Sequence, residues 1–137
     1  MHCFDSGRTE EFADLFTTEA EFVVESVGVA KGRSAIREFI EHSADTLRGA
    51  GMSVRHNTFN TLAIPDGDVV RVESDFFAFA GAKDDWSVMA GGRDHDVCAQ
   101  QPDGRWLFST RRIAWWNDEQ PEALVAVMAP VFAGLTD

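Results

Sequence analysis

The chain has 137 residues, a length that fits one domain around one core. It carries 12 Lys and Arg against 23 Asp and Glu, a formal charge of −11, so neither a phosphate backbone nor an anionic lipid surface is an expected partner. Apolar residues make up 45%, which excludes a disordered chain, and the absence of Tyr excludes any mechanism built on a phenol hydroxyl.

No apolar run approaches the ~20 residues of a membrane span, and the first residues lack the basic start and apolar stretch of a signal peptide. Cys3 and Cys98 have no metal-ligand spacing and read as two reduced thiols. A soluble cytoplasmic protein is the expectation.

In chain order, residues 8–16, RTEEFADLF, place Phe12, Leu15 and Phe16 on one helical face. EAEFVVES follows as a short strand. Gly32 then precedes RSAIREFIEHSADTLRGAG, where Ala35, Ile36, Phe39, Ile40 and Leu47 recur at helical spacing and Gly49 and Gly51 close the helix.

The apolar period then changes from 3.6 to 2. Residues 53–64 and 69–79 read as strands joined by a turn at Pro65-Asp66-Gly67-Asp68. FAGAKDD makes the next turn, 86–100 a third strand, and QPDGRW leads into a fourth at 105–116. Residues 118–137 are apolar and broken by Pro130, and are expected to cover a pocket mouth or an interface. Helices followed by a meander give an α+β plan: a cone-shaped barrel, with a curved antiparallel sheet wrapped around N-terminal helices and room for a small ligand between the layers.

Four stretches, FDSGRTEEFADLFTTEAEF, GRSAIREFI, RHNTFN and DGRWLFSTRRIAWW, together resemble the SnoaL-like group of the nuclear-transport-factor-2-like superfamily over nearly the whole chain. Within that group the functional resemblance is to scytalone dehydratase and hexachlorocyclohexane dehydrochlorinase. It implies a catalytic Asp at Asp5, in FDSG, a catalytic His at His56, in RHN, and a catalytic Arg at Arg111, five residues after Trp106. It also implies a homo-oligomer, dimer or trimer, and a pocket closed by the C-terminal segment. The dehydratase's substrate-reaching tyrosines have no counterpart here, and its second histidine falls near Phe79.

Those residue types suit one chemistry. A neutral imidazole takes a proton near neutral pH if a carboxylate holds its other nitrogen, and an arginine stabilises a departing anion. The set fits elimination from a small hydrophobic substrate, dehydratase-type lyase chemistry that needs no cofactor. Asp94 and Asp96, in GGRDHDV, share a strand face. With no third ligand they suggest substrate binding more than a metal, and they are the proton-transfer candidates if the chain is instead a polyketide cyclase or a ketosteroid-isomerase-like enzyme. A non-catalytic small-molecule binding domain is the third alternative. Strand parity places Asn60 on the face of His56, and Trp115 on the face of Arg111. Asn60, Phe79 and Trp115 are the remaining candidates for the substrate-binding wall.

Overall fold

A computed structural model describes residues 1–116, 129–130 and 132–133. Two short helices, α1 (His2–Asp5) and α2 (Thr9–Ala13), lead into strand β1 (Phe16–Val24). Strand β2 (Gly28–Lys31) folds back on β1, and helix α3 (Arg33–Gly49) follows. Four long strands complete the sheet: β3 (Ser53–Asp66), β4 (Val69–Ala82), β5 (Asp85–Gln100) and β6 (Trp106–Trp115).

The six strands run in the order β2-β1-β6-β5-β4-β3. The α+β class and the wrapped helices match the sequence expectation, but the sheet is mixed rather than antiparallel, because β1 pairs with β6 in parallel. The two strands are far apart in sequence, so no hairpin turn dictates their direction. Strand β2 was not anticipated; it has only four residues and pairs with β1 alone. Two turns are tighter than the sequence suggested. Pro65 and Asp66 belong to β3, leaving Gly67 and Asp68 as the connection, and β4 runs on to Ala82. Gly67 has a φ of 61°, where a residue without Cβ carries no steric cost.

Helix α3 is amphipathic. Ile36, Phe39, Ile40 and Ser43 are its buried residues, at spacings that place them on one stripe. Opposite them, Ala20, Phe22 and Val24 of β1, Phe76 and Ala78 of β4, Ala90 of β5 and Ile113 of β6 point inward at alternate positions. Each large side chain buried this way contributes about 1.5–3 kcal/mol relative to exposure. The Arg33 guanidinium fixes the start of α3 against β1, donating from Nε and Nη2 to the Phe16 carbonyl at 2.9 and 2.6 Å.

Each of the long strands β3, β5 and β6 carries one extra residue relative to its neighbour. The pairings slip between Phe59 and Leu62, at Met89 between β4 and β5, and at Ser109 between β5 and β6. Such bulges bend a strand and increase its twist, and here they let the sheet curl around α3.

Of residues 118–137, only Phe132 has a buried position among those described. Its ring stacks on Phe39 at 4.5 Å and packs against Gly28. The remainder of that expected covering segment lies outside the described residues. Cys3 and Cys98 are free thiols. No helix among the described residues is long and apolar enough to cross a membrane.

Candidate active site

Between α3 and the concave face of the sheet lies a cavity of about 150 Å³. Its wall is mostly carbon: Phe22, Phe39, Ile40, Phe76, Met89 and Trp115 are prominent. Three polar side chains interrupt it, Ser43 from α3, His56 from β3 and Asp94 from β5.

The short helix α1 ends at Asp5, and β3 begins close by. Asp5 grips His56 at two points. Its Oδ1 lies 2.6 Å from the ring Nδ1, and its Oδ2 accepts the His56 backbone N–H at 2.8 Å. The neighbouring Arg55 donates from Nη1 to the Asp5 backbone carbonyl at 2.8 Å, tying α1 to the strand a second time. Both members of the pair are screened from solvent, with side chains 12% and 8% exposed for His56 and Asp5. Phe4 meets the imidazole edge-on at 5.7 Å, and Phe76 lies on another side at 6.4 Å. An ionised carboxylate only accepts hydrogen bonds, so Nδ1 carries a proton, and in the neutral imidazole Nε2 then keeps its lone pair. Among the described residues no partner occupies Nε2.

Arg111 sits differently from its expected place. It is buried, bonded through Nη2 to Asp94, with Nη1 3.5 Å from Asp96 and the guanidinium 5.3 Å from the Phe108 ring centre. It is not among the described residues that line the cavity; Asp94 is. The charge of Arg111 is therefore committed to two carboxylates and reaches the cavity only through one of them. It also fills the position that a cation would take between Asp94 and Asp96. Burial pushes the Asp96 carboxyl up to about 7; Arg111 opposes that shift and the Asp94 charge adds to it. Asp96 Oδ1 and Arg111 Nε are buried without a hydrogen-bond partner.

The other expected wall residues separate. Trp115 lines the cavity and donates from Nε1 to the Glu25 carbonyl at 3.3 Å. Asn60 does not line it: the residue is exposed at the β3 bulge, with a φ of 50°, and donates to Asp75 Oδ2 at 3.1 Å. The extra residue there cancels the alternation that had put it on the face of His56. Phe79 is half-buried beside Phe77 on the opposite face of β4 from Phe76 and Ala78. Sequence reasoning missed Ser43, although its place seven residues after Ile36, on the apolar stripe of α3, was a usable signal.

Helices held in a curved six-stranded mixed sheet, with a ligand-sized hollow between the layers, constitute the NTF2-like α+β fold. Residues 1–112 match the SnoaL-like domain family, and the chain belongs to that family. Solved structures agree. ActVI-ORFA from Streptomyces coelicolor superposes with a TM-score of 0.79 at 20% identity, over 88% of this chain and 89% of that one. An NTF2-like protein with a cystatin-like fold from Novosphingobium aromaticivorans gives 0.74 at 22% identity, over 89% and 79%. A Catenulispora acidiphila protein in complex with S-DNPA gives 0.70 at 24% identity, over 82% and 84%. These likenesses establish the fold. A comparison with curated protein sequences finds no match.

Proposed function

We propose that the chain is a cofactor-independent lyase that removes water from a small hydrophobic substrate, with His56 as the base and Asp5 as the residue that orients it. The observation that carries this reading is the 2.6 Å contact between Asp5 and His56 Nδ1 at the wall of an apolar cavity. Nε2 takes a proton from the carbon next to a carbonyl. The electron pair moves first toward the carbonyl oxygen and then into a new C=C bond as the β-hydroxyl leaves. The imidazolium, stabilised by Asp5, returns the proton to that hydroxide, and water is released. Arg111 acts through Asp94, keeping a carboxylate at the wall neutralised, instead of touching the leaving group. Small-molecule binding by the Catenulispora acidiphila relative supports use of this fold as a binding pocket. Assembly as a dimer or trimer belongs to the same proposal, as does a cytoplasmic setting, which suits two free thiols.

A second reading, an isomerase or cyclase using a strand aspartate, draws support from Asp94 on the cavity wall and from the Asp96 carboxyl at about 7. The open cavity and the short Asp5–His56 contact favour chemistry over a purely binding role.

The test uses 3-hydroxycyclohexanone, whose elimination gives cyclohexenone and water, and cyclohexanone in D2O, whose α-deuteration reports proton abstraction alone. Wild-type protein is expected to accelerate both, and His56→Ala to abolish both. Full activity in His56→Ala with loss in Asp94→Asn would replace the first reading by the second.

A further inference from the structure

Ser43 is a polar residue in an apolar place. It is 5% exposed, lies on the buried stripe of α3, lines the cavity, and its Oγ has no hydrogen-bond partner. A buried hydroxyl without a partner carries a desolvation cost that a helix could avoid with alanine. The other hydrogen-bonding side chains of the wall are already committed or lack a proton to give. His56 spends its Nδ1–H on Asp5 and, as the neutral imidazole that a base requires, offers only a lone pair at Nε2. Trp115 spends its N–H on the Glu25 carbonyl. The Asp94 carboxylate, paired with Arg111, accepts. Ser43 is thus the one uncommitted side-chain donor among the described residues lining the cavity. None of those residues is Lys or Arg.

We propose that the Ser43 hydroxyl is a ligand-binding group that donates a hydrogen bond to a carbonyl oxygen, and that the cavity selects compact neutral ketones about one ring in size. The size follows from the volume, since an apolar cavity of this order takes a single benzene-sized ring. Neutrality follows from the wall: a carboxylate or phosphate would meet Asp94, no Lys or Arg side chain lines the cavity, and burial lowers the pKa of the Met1 α-amino group, the one cationic group at that wall among the described residues, favouring its neutral form. The carbonyl follows from the donor, because an alcohol could be held by His56 or Asp94 while a ketone needs an N–H or O–H. This assignment rests on the lyase reading for its consequence, in which Ser43 stabilises the negative charge that grows on the carbonyl oxygen as His56 removes the adjacent proton.

Binding can be tested without turnover. Cyclohexanone and cyclohexane, alike in shape, are titrated by ligand-detected NMR into wild type, Ser43→Ala and His56→Ala. Wild type is expected to favour cyclohexanone, after correction for the two probes' transfer from water to an apolar solvent, by about 2- to 10-fold. Ser43→Ala removes that preference and keeps cyclohexane binding, which shows the cavity intact; His56→Ala keeps the preference. Benzoate is expected not to bind. Equal corrected affinities in wild type, an unchanged preference in Ser43→Ala, or binding of neither probe overturns the proposal. The lyase reading fails separately, through full catalytic activity of His56→Ala.

Discussion

Asp5 holds His56 by the ring and by the backbone at once, from a helix that lies fifty-one residues earlier in the chain. The double contact fixes the side chain's rotation as well as its tautomer. A ring held only at Nδ1 could swing with its partner; here the backbone N–H pins the carboxylate, so the ring cannot turn without giving up the Nδ1 contact. The result is an imidazole whose Nε2 is presented from a fixed direction, as a general base requires.

Asp5→Asn tests this arrangement with little change in shape. An amide can turn its NH2 toward Nδ1, which then must accept, so the ring proton moves to Nε2 and the base is lost. Deuteration of cyclohexanone is expected to fall by about 10²- to 10⁴-fold. Nitrogen NMR of His56 in alkaline solution should show protonated Nδ1 in the wild type and protonated Nε2 in the variant. An unchanged tautomer with unchanged activity would remove Asp5 from the mechanism.

Asp96 gives the protein a pH dependence of defined sign. Its folded carboxyl titrates at about 7, above the ordinary value of 3.8. Between those values the folded chain keeps a proton that the unfolded chain has released. Stability therefore falls as pH rises through that window and levels off above it. The full shift corresponds to about 4 kcal/mol at most. Urea unfolding of Asp96→Asn should be nearly free of this decline and should show a more stable protein than wild type at pH ~8. A variant whose stability falls with pH as steeply as wild type would place the titration elsewhere.

Much of the layout was legible because it is local. Ile36, Phe39 and Ile40 announce α3 by their spacing, and the change to period 2 after Gly51 marks the long strands. The Asp5–His56 pairing was legible only through resemblance, since nothing in the spacing of two residues so far apart brings them together. What failed was face assignment across bulges. Parity carried from His56 puts Asn60 inward, but the extra residue beside Phe59 turns it out. On β6 the bulge at Ser109 brings Phe108, not Leu107, beneath Arg111 with the core. The commitment of Arg111 was hidden for a related reason: its register partner is Asp96, and that pairing depends on where the bulge falls.

Arg111→Met leaves two carboxylates buried around an uncharged side chain. Breaking such a pair from one side costs about 3–5 kcal/mol, whereas removing all the charges together is often neutral. Arg111→Met is expected to unfold at clearly lower urea, and adding Asp94→Asn and Asp96→Asn should restore most of the loss. If the single variant is as stable as wild type, Arg111 is not bound in the buried cluster described here.

Phe132 tests how the C-terminal segment attaches. Its ring stacks on Phe39 and fills the space where a Cβ at Gly28 would stand. Phe132→Ala should cost about 3–4 kcal/mol by opening a cavity. Gly28→Ala should also destabilise, because its methyl group overlaps the ring. The two changes share one space, so the double variant should lose clearly less than the sum, the alanine methyl having lost the ring that it struck. Strict additivity in urea unfolding would mean that Phe132 does not dock on Gly28 in solution.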